Sequence, residues 1–327
     1  MGIIRGLALA VMLALPAQAD DLTFFRIGNG ETSGSYYPIG GLIAQAISNP
    51  PGSVACAAGG ACGVPGLLAS AIASTGSAAN LEAIAAGRLE SGFAQADLVR
   101  MAYLGEGPFA DHPVPELRLI ANLYPEYLHI VVGADSGLHR LDDLSGRRVA
   151  LGPEGSGTRI NARRLLDLAG VEVAVADLPD IEAASHALGA GQIDALFFIG
   201  GAPSPVITSL AARNDIALLP VAPELAARDD LISPATLAAH HYPGVAEPVE
   251  TLSVPAQWVT RADLPDALIY ALTRVLWNDN TMMILGFGHE TSRQVRRDYA
   301  VESLAIPLHP GAARYYREAG LIGPDQP

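Results

Sequence analysis

Residues 149–161 read Val-Ala-Leu-Gly-Pro-Glu-Gly-Ser-Gly-Thr-Arg-Ile-Asn. A short apolar strand runs into a glycine turn and then into a helix that opens on hydroxyl residues. The first turn of such a helix has backbone N–H groups without partners and the positive end of a dipole, so it can hold a carboxylate or another anion. Residues 26–41 repeat the pattern as Arg-Ile-Gly-Asn-Gly-Glu-Thr-Ser-Gly-Ser-Tyr-Tyr-Pro-Ile-Gly-Gly. Two such corners, far apart in the chain, point to two lobes that close on one small anionic ligand. Four polar groups lie where strands run into helices, the edge at which open α/β sheets bind ligands. The first holds Ser33 and Tyr36, beside Thr32 and Gly34, and the second holds Thr75, Ser77 and Asn80. The third is Gln95, and the fourth is Ser156, Gly157, Thr158 and Asn161. Each has a purely structural alternative. Ser77 and Thr158 read equally as helix caps, Gln95 as a surface residue, and Phe197 and Phe198 as core rather than ligand wall.

Other chemistries fit poorly. All 20 basic residues are arginine, which removes Schiff-base chemistry, a Walker-A phosphate loop and lysine bases. The nucleophile elbow Gly-x-Ser-x-Gly does not occur. His240 and His241 are adjacent, so their side chains diverge on either a helix or a strand, and no metal site is expected. Gly28-x-Gly30-x-x-x-Gly34 misses the dinucleotide spacing by one residue. The reading is therefore a binding protein without a cofactor, not an enzyme. An exported hydrolase is the enzyme alternative.

The elements that would carry these groups follow from the rest of the chain. Arg5 precedes an apolar run, Leu7–Pro16, and then Ala17-Gln18-Ala19, the form of a secretory leader cut after Ala19. Export to the periplasm follows as an expectation, with a disulfide between Cys56 and Cys62. The net charge of −14 argues against a nucleic-acid partner. Strands are expected at 22–28, 67–74, 91–94, 117–123, 127–133, 149–151, 195–199, 216–220 and 250–260. Helices are expected at 38–48, 78–86, 97–103, 158–169, 181–190 and 204–212, with a further candidate at 233–241 and a helical final third. This alternation means α/β layering with largely parallel sheets. The stretches 117–133 and 250–260 bracket one complete α/β unit and are the expected hinge strands. The expected division is 20–123 with 255–327 as lobe 1, and 124–254 as lobe 2.

Several ordered motifs carry a resemblance. They are Ile27-Gly28 through Tyr36-Tyr37-Pro38-x-Gly40, Ser74-Thr75-Gly76-Ser77-x-x-Asn80, Gln95-x-Asp97 and Tyr124-Pro125-Glu126. Gly155-Ser156-Gly157-Thr158-x-x-Asn161-Ala162-Arg163, Gly191-Gln192-Ile193-Asp194-Ala195-x-Phe197-Phe198 and Ile306-Pro307-Leu308-His309-Pro310-Gly311-Ala312-x-x-Tyr315-Tyr316 complete the set. Together they span nearly the whole chain, which resembles the TAXI solute-binding proteins, periplasmic receptors of one class of TRAP transporters. The resemblance implies a two-lobed, type II periplasmic-binding-protein fold and a monomer. Its partner would be a TRAP permease driven by an ion gradient, and its ligand glutamate, glutamine, 2-oxoglutarate or a similar small carboxylate. By motif position the ligand-facing residues would be Ser33, Tyr36, Ser77, Asn80, Gln95, Ser156, Gly157, Thr158 and Asn161. Glu126 would meet a ligand ammonium or brace the hinge. Asn29 and Glu31 depart from the threonine and glycine often found in the family's first turn. Arg159 is open between pairing a second ligand carboxylate and standing in solvent. A sensor for a membrane kinase would use the same pair of lobes.

Overall fold

The computed structural model describes residues 22–60 and 62–323; the expected leader, 1–19, lies outside them. The strands are β1 (Thr23–Gly28), β2 (Ser48–Asn49), β3 (Val64–Pro65), β4 (Leu67–Ile72), β5 (Ser91–Gln95), β6 (Leu117–Gly133), β7 (Arg148–Ala150), β8 (Ala174–Val175), β9 (Ala195–Gly200), β10 (Ile216–Leu218), β11 (Ser233–Leu237) and β12 (Val249–Arg261). The helices are α1 (Tyr36–Ile47), α2 (Ser77–Ala85), α3 (Ala96–Leu104), α4 (Gly157–Ala169), α5 (Ile181–Gly189), α6 (Pro205–Ala211), α7 (Asp266–Leu276), α8 (Asp279–Gly288) and α9 (Pro310–Glu318). The spacing of apolar residues and the glycines that end helices account for most of them. Gly87, Gly105, Gly170 and Gly191 all take the left-handed conformation at or just past a helix end, where only glycine does so at little cost.

Most strands join one sheet in the order β4-β1-β5-β12-β6-β9-β7-β8, with β10 beside β6 and β11 beside β12. Two-lobed character comes from the cores. One core gathers Phe25, Phe93, Tyr124, Trp258 and Tyr316. Two others, around Val149 and Phe197 and around Leu196 and Tyr242, are built from residues between Leu128 and Leu252. The final helices return to the first core, where Tyr316 Oη donates to the Ile120 carbonyl at 2.9 Å.

Strands β6 and β12 run through both lobes as an antiparallel pair. Two separate strands are expected at 117–123 and 127–133, because Pro125 should break the run. The structure has one continuous strand. Pro125 faces Pro255 across the pair, and the flanking strands change over at this level. β9 ends opposite Tyr127, β5 ends opposite Ala256, and β11 starts opposite Ser253. The missing N–H of each proline falls where no outer neighbour asks for it. The helix candidate at 233–241 is instead edge strand β11, antiparallel to β12. The sheet is also less parallel than expected. β1 pairs in parallel with β4 and β5, and β7 with β9, but both hinge strands run antiparallel to their neighbours.

Cys56 and Cys62 form a disulfide in the loop between β2 and β3. Among the described residues no helix is long and apolar enough to cross a membrane.

Candidate functional site

Three helices begin at one cavity between the lobes. From the first lobe come the starts of α1, with Gly34, Ser35 and Tyr36, and of α2, with Thr75, Gly76 and Ser77. From the second comes the start of α4, with Ser156, Gly157 and Thr158. Ser156 caps α4 by accepting from the Arg159 N–H at 3.1 Å, so Ser156 and not Thr158 is the cap. Thr158 Oγ1 instead accepts from the Ile199 N–H at 3.1 Å. Ser77 is the first residue of α2 rather than its cap, and its Oγ accepts from the Gln95 N–H at 3.2 Å. Three converging helix starts give a positive field without a basic side chain, and none lines this cavity among the described residues.

The lobes touch here. A Cβ on Gly157 would lie 2.2 Å from Gln95 Oε1 and 2.8 Å from Ser77 Oγ. The Ala79 N–H donates to the Gly155 carbonyl at 3.3 Å, and the Gly201 N–H donates to Ser35 Oγ at 2.9 Å. The space left is about 40 Å³, far below the ~300–1,000 Å³ usual for small-molecule sites. A solute of more than a few atoms enters only when the lobes part.

The cavity also holds two carboxyl groups. Glu126, on β6 beside the Pro125–Pro255 level, accepts from the Tyr36 hydroxyl at 2.7 Å. Burial drives its carboxyl up to about 8, with hydrogen bonds from Tyr36 and Gln95 pulling the other way and Asp97 pushing up. Glu31, in the turn before α1, reaches across the cleft. Its Oε2 accepts from the Ile181 N–H at the start of α5, at 2.7 Å. Burial and the neighbouring Asp180 raise it to about 7, against the pull of that N–H.

A polar chain leads away from the cavity. Gln95 Oε1 accepts from Asn161 Nδ2 at 3.0 Å, and Asn161 Oδ1 accepts from Arg164 at 3.0 Å. Arg164 on α4 pairs with the buried Asp97 on α3 at 3.1 Å. Asp97 is pushed up to about 6 by burial, opposed by Arg164. Arg100, also on α3, reaches back to Asp229 at 2.5 Å and to Asp230. Here the lobes are joined by ion pairs, and elsewhere by the contacts of Glu31 with Ile181 and of Ser35 with Gly201.

Seven of the ten expected ligand-facing residues line the cavity: Tyr36, Ser77, Gln95, Glu126, Ser156, Gly157 and Thr158. Three do not. Ser33 faces an outer chamber between the lobes, with Arg213, His186 and His289. Asn80 is fully buried behind the wall. Its Nδ2 donates to the Phe93 carbonyl at 2.8 Å and to the Asn29 carbonyl, and its Oδ1 accepts from Ser74 at 2.7 Å. Asn161 stands behind Gln95, beside an apolar pocket under α4. Arg159 neither lines the cavity nor stands in water. It is buried and pairs with Glu154 at 3.0 Å and Asp177 at 2.7 Å. Glu31 and Ser35 were not among the expected contacts. Their sequence signal was a carboxylate and a hydroxyl inside the glycine turn that opens α1. Phe198, left open between core and wall, lines the cavity.

The pattern of the NMT1-like family matches residues 27–320. The chain belongs to the NMT1-like family. The NMT1-like chain also shares its fold with solved structures at low sequence identity. One, described as a periplasmic transporter, is 15% identical with a TM-score of 0.51 and covers 91% of this chain and 92% of its own. A Xanthomonas citri protein solved with ATP is 12% identical, TM-score 0.51, covering 91% and 96%. A Bordetella bronchiseptica RB50 protein is 17% identical, TM-score 0.51, covering 93% and 91%. The two-lobed fold of this NMT1-like protein is that of periplasmic solute-binding proteins.

Proposed function

We propose that this protein is a periplasmic receptor that captures a small carboxylate between its lobes and delivers it, unaltered, to an ion-gradient-driven TRAP permease. The observation that carries the reading is the meeting of the starts of α1, α2 and α4, drawn from both lobes, at one cavity with no basic side chain among its described lining residues. Free N–H groups and hydroxyls there suit an acid that both lobes must grip, and the hydrogen bonds to it are charge-assisted. The TRAP partner rests on the ordered motifs that resemble TAXI receptors. On this reading residues 20–123 with 255–327 form lobe 1 and 124–254 form lobe 2. The Pro125–Pro255 level is the hinge, the leader is cut after Ala19, and the mature protein is a monomer.

Ligand binding then shifts the lobes toward the closed arrangement by its differential affinity for it. The seven that line the cavity would touch ligand: Tyr36, Ser77, Gln95, Glu126, Ser156, Gly157 and Thr158. Ser33 would act at the outer chamber, Asn80 by holding the α2 corner, and Asn161 by fixing the orientation of Gln95. A thermal-shift screen against glutamate, glutamine, 2-oxoglutarate and simple monocarboxylates tests this. The expected result is a concentration-dependent rise in Tm with at least one of them and no change in the compound. Turnover of an ester or amide would support the hydrolase alternative instead.

A further inference from the structure

Glu31 belongs to the first lobe, yet its carboxylate occupies the start of a helix in the second. It accepts from the Ile181 N–H at 2.7 Å, beside Asp180, which caps the same helix by accepting from the Ala183 N–H at 2.7 Å. Glu31 lines the central cavity and also a second, smaller one that runs along Ile181 toward Gly152. Thr158 and Phe198 line both spaces as well. The Glu31 side chain, with Thr158 and Phe198, thus stands between two parts of one interlobe space. One part is bounded by the start of α4, the other by the start of α5.

We propose that Glu31 is a specificity-determining residue that acts as a built-in distal carboxylate. It fills the α5 corner from within, so the receptor accepts solutes with one carboxylate, such as glutamine or alanine, and rejects those with two. The inference rests on the carboxylate-receptor reading above. A solute carboxylate at the α4 corner meets N–H groups and hydroxyls. A second carboxylate on the same solute, directed at α5, meets a helix start already satisfied by Glu31 and bearing the charges of Glu31 and Asp180. The space lies between the lobes and holds no basic side chain among its described lining residues, so like charges there repel without a cation to offset them. Truncating Glu31 joins the two spaces and frees the Ile181 N–H for a distal acid group. The position of Glu31 itself shows that a carboxyl fits beside Asp180.

The test is calorimetric titration of the purified full chain and of Glu31→Ala with L-glutamine, L-alanine, L-glutamate, succinate and 2-oxoglutarate. The titrations run at about pH 8, above the Glu31 value of about 7. The wild type is expected to bind a monocarboxylate at least on the order of tenfold more tightly than any dicarboxylate. Glu31→Ala should narrow or invert that ratio by on the order of tenfold. If Glu31→Ala does not fold, Glu31→Gln carries the test, since loss of the charge alone should raise dicarboxylate affinity severalfold. A wild type that prefers a dicarboxylate, or a ratio unchanged in the variant, overturns the role of Glu31 and leaves the receptor reading standing. Binding of no carboxylate by wild type or variant overturns both.

Discussion

The Tyr36 hydroxyl donates to Glu126 Oε2 at 2.7 Å across 90 residues of sequence, joining the start of α1 in one lobe to the hinge level of β6. Both residues are buried. Burial raises Glu126 to about 8 and the Tyr36 phenol well above its usual range. Near neutral pH Glu126 is therefore largely a neutral acid, able to donate its own proton to an acceptor in the cavity or to ionise against a ligand ammonium.

The sign of the resulting pH dependence follows from linkage. A carboxyl whose folded value lies above its unfolded one binds more protons folded than unfolded. Its contribution to stability is fully present below about 4.5 and is lost as pH rises through about 8. Glu31, raised to about 7, acts in the same direction. Thermal unfolding should show Tm falling between pH 5 and pH 8.5. In Glu126→Gln, which keeps an acceptor for Tyr36 without a charge, the slope should be shallower, and the variant should exceed wild type at pH 8.5. Parallel profiles for the two proteins would contradict the assignment.

Gly157 decides how closely the lobes approach. A methyl group there would sit 2.2 Å from Gln95 Oε1, at the corner where the ligand carboxylate is proposed to rest. Gly157→Ala should keep both lobes folded, with Tm within a few degrees of wild type. It should hold them apart and weaken ligand binding at least tenfold, about 1.4 kcal/mol. Small-angle scattering with saturating ligand reads the failure to close.

Thr158 offers a milder perturbation of the same corner. Its Oγ1 already accepts from the Ile199 N–H, which leaves the hydroxyl proton free for an acceptor in the cavity. Thr158→Ala should weaken binding by on the order of 1–3 kcal/mol, measured by calorimetry, and leave a folded protein.

Arg164 answers a buried charge from the other lobe. Asp97 is wholly buried, while Arg164 is about one-third exposed, and they meet at 3.1 Å. Removing one partner of such a pair leaves the other uncompensated. Arg164→Ala should lower stability by about 2–3 kcal/mol, somewhat less than for a fully buried pair. Asp97→Asn on that background should recover part of the loss. Denaturant titration of the single and double variants measures the coupling.

Most elements were legible in the sequence because apolar spacing and helix-ending glycines are local signals. Two failures have local causes. Pro125 reads as a strand break, and only the register opposite Pro255 shows that its missing N–H is not needed. Residues 233–241 carry Ala and His that suit a helix, while edge pairing with β12 makes 233–237 a strand. The candidate site was legible by position but not by direction. Asn80 stands one turn into α2, like a ligand contact, yet it turns toward β1 and β5. Gly28 makes room for it there, since a Cβ at Gly28 would lie 2.6 Å from Asn80 Oδ1. Glu31 was passed over because nothing in a glycine turn shows that its carboxylate will find a helix start 150 residues away.

The most direct test of the central claim is calorimetric titration of the full chain with the carboxylate panel, followed by NMR of the recovered compound. The expected result is saturable one-to-one binding of at least one small carboxylate, recovered unchanged. Absence of heat and Tm shift with every carboxylate, or recovery of a chemically altered product, would contradict capture of an acid between the lobes.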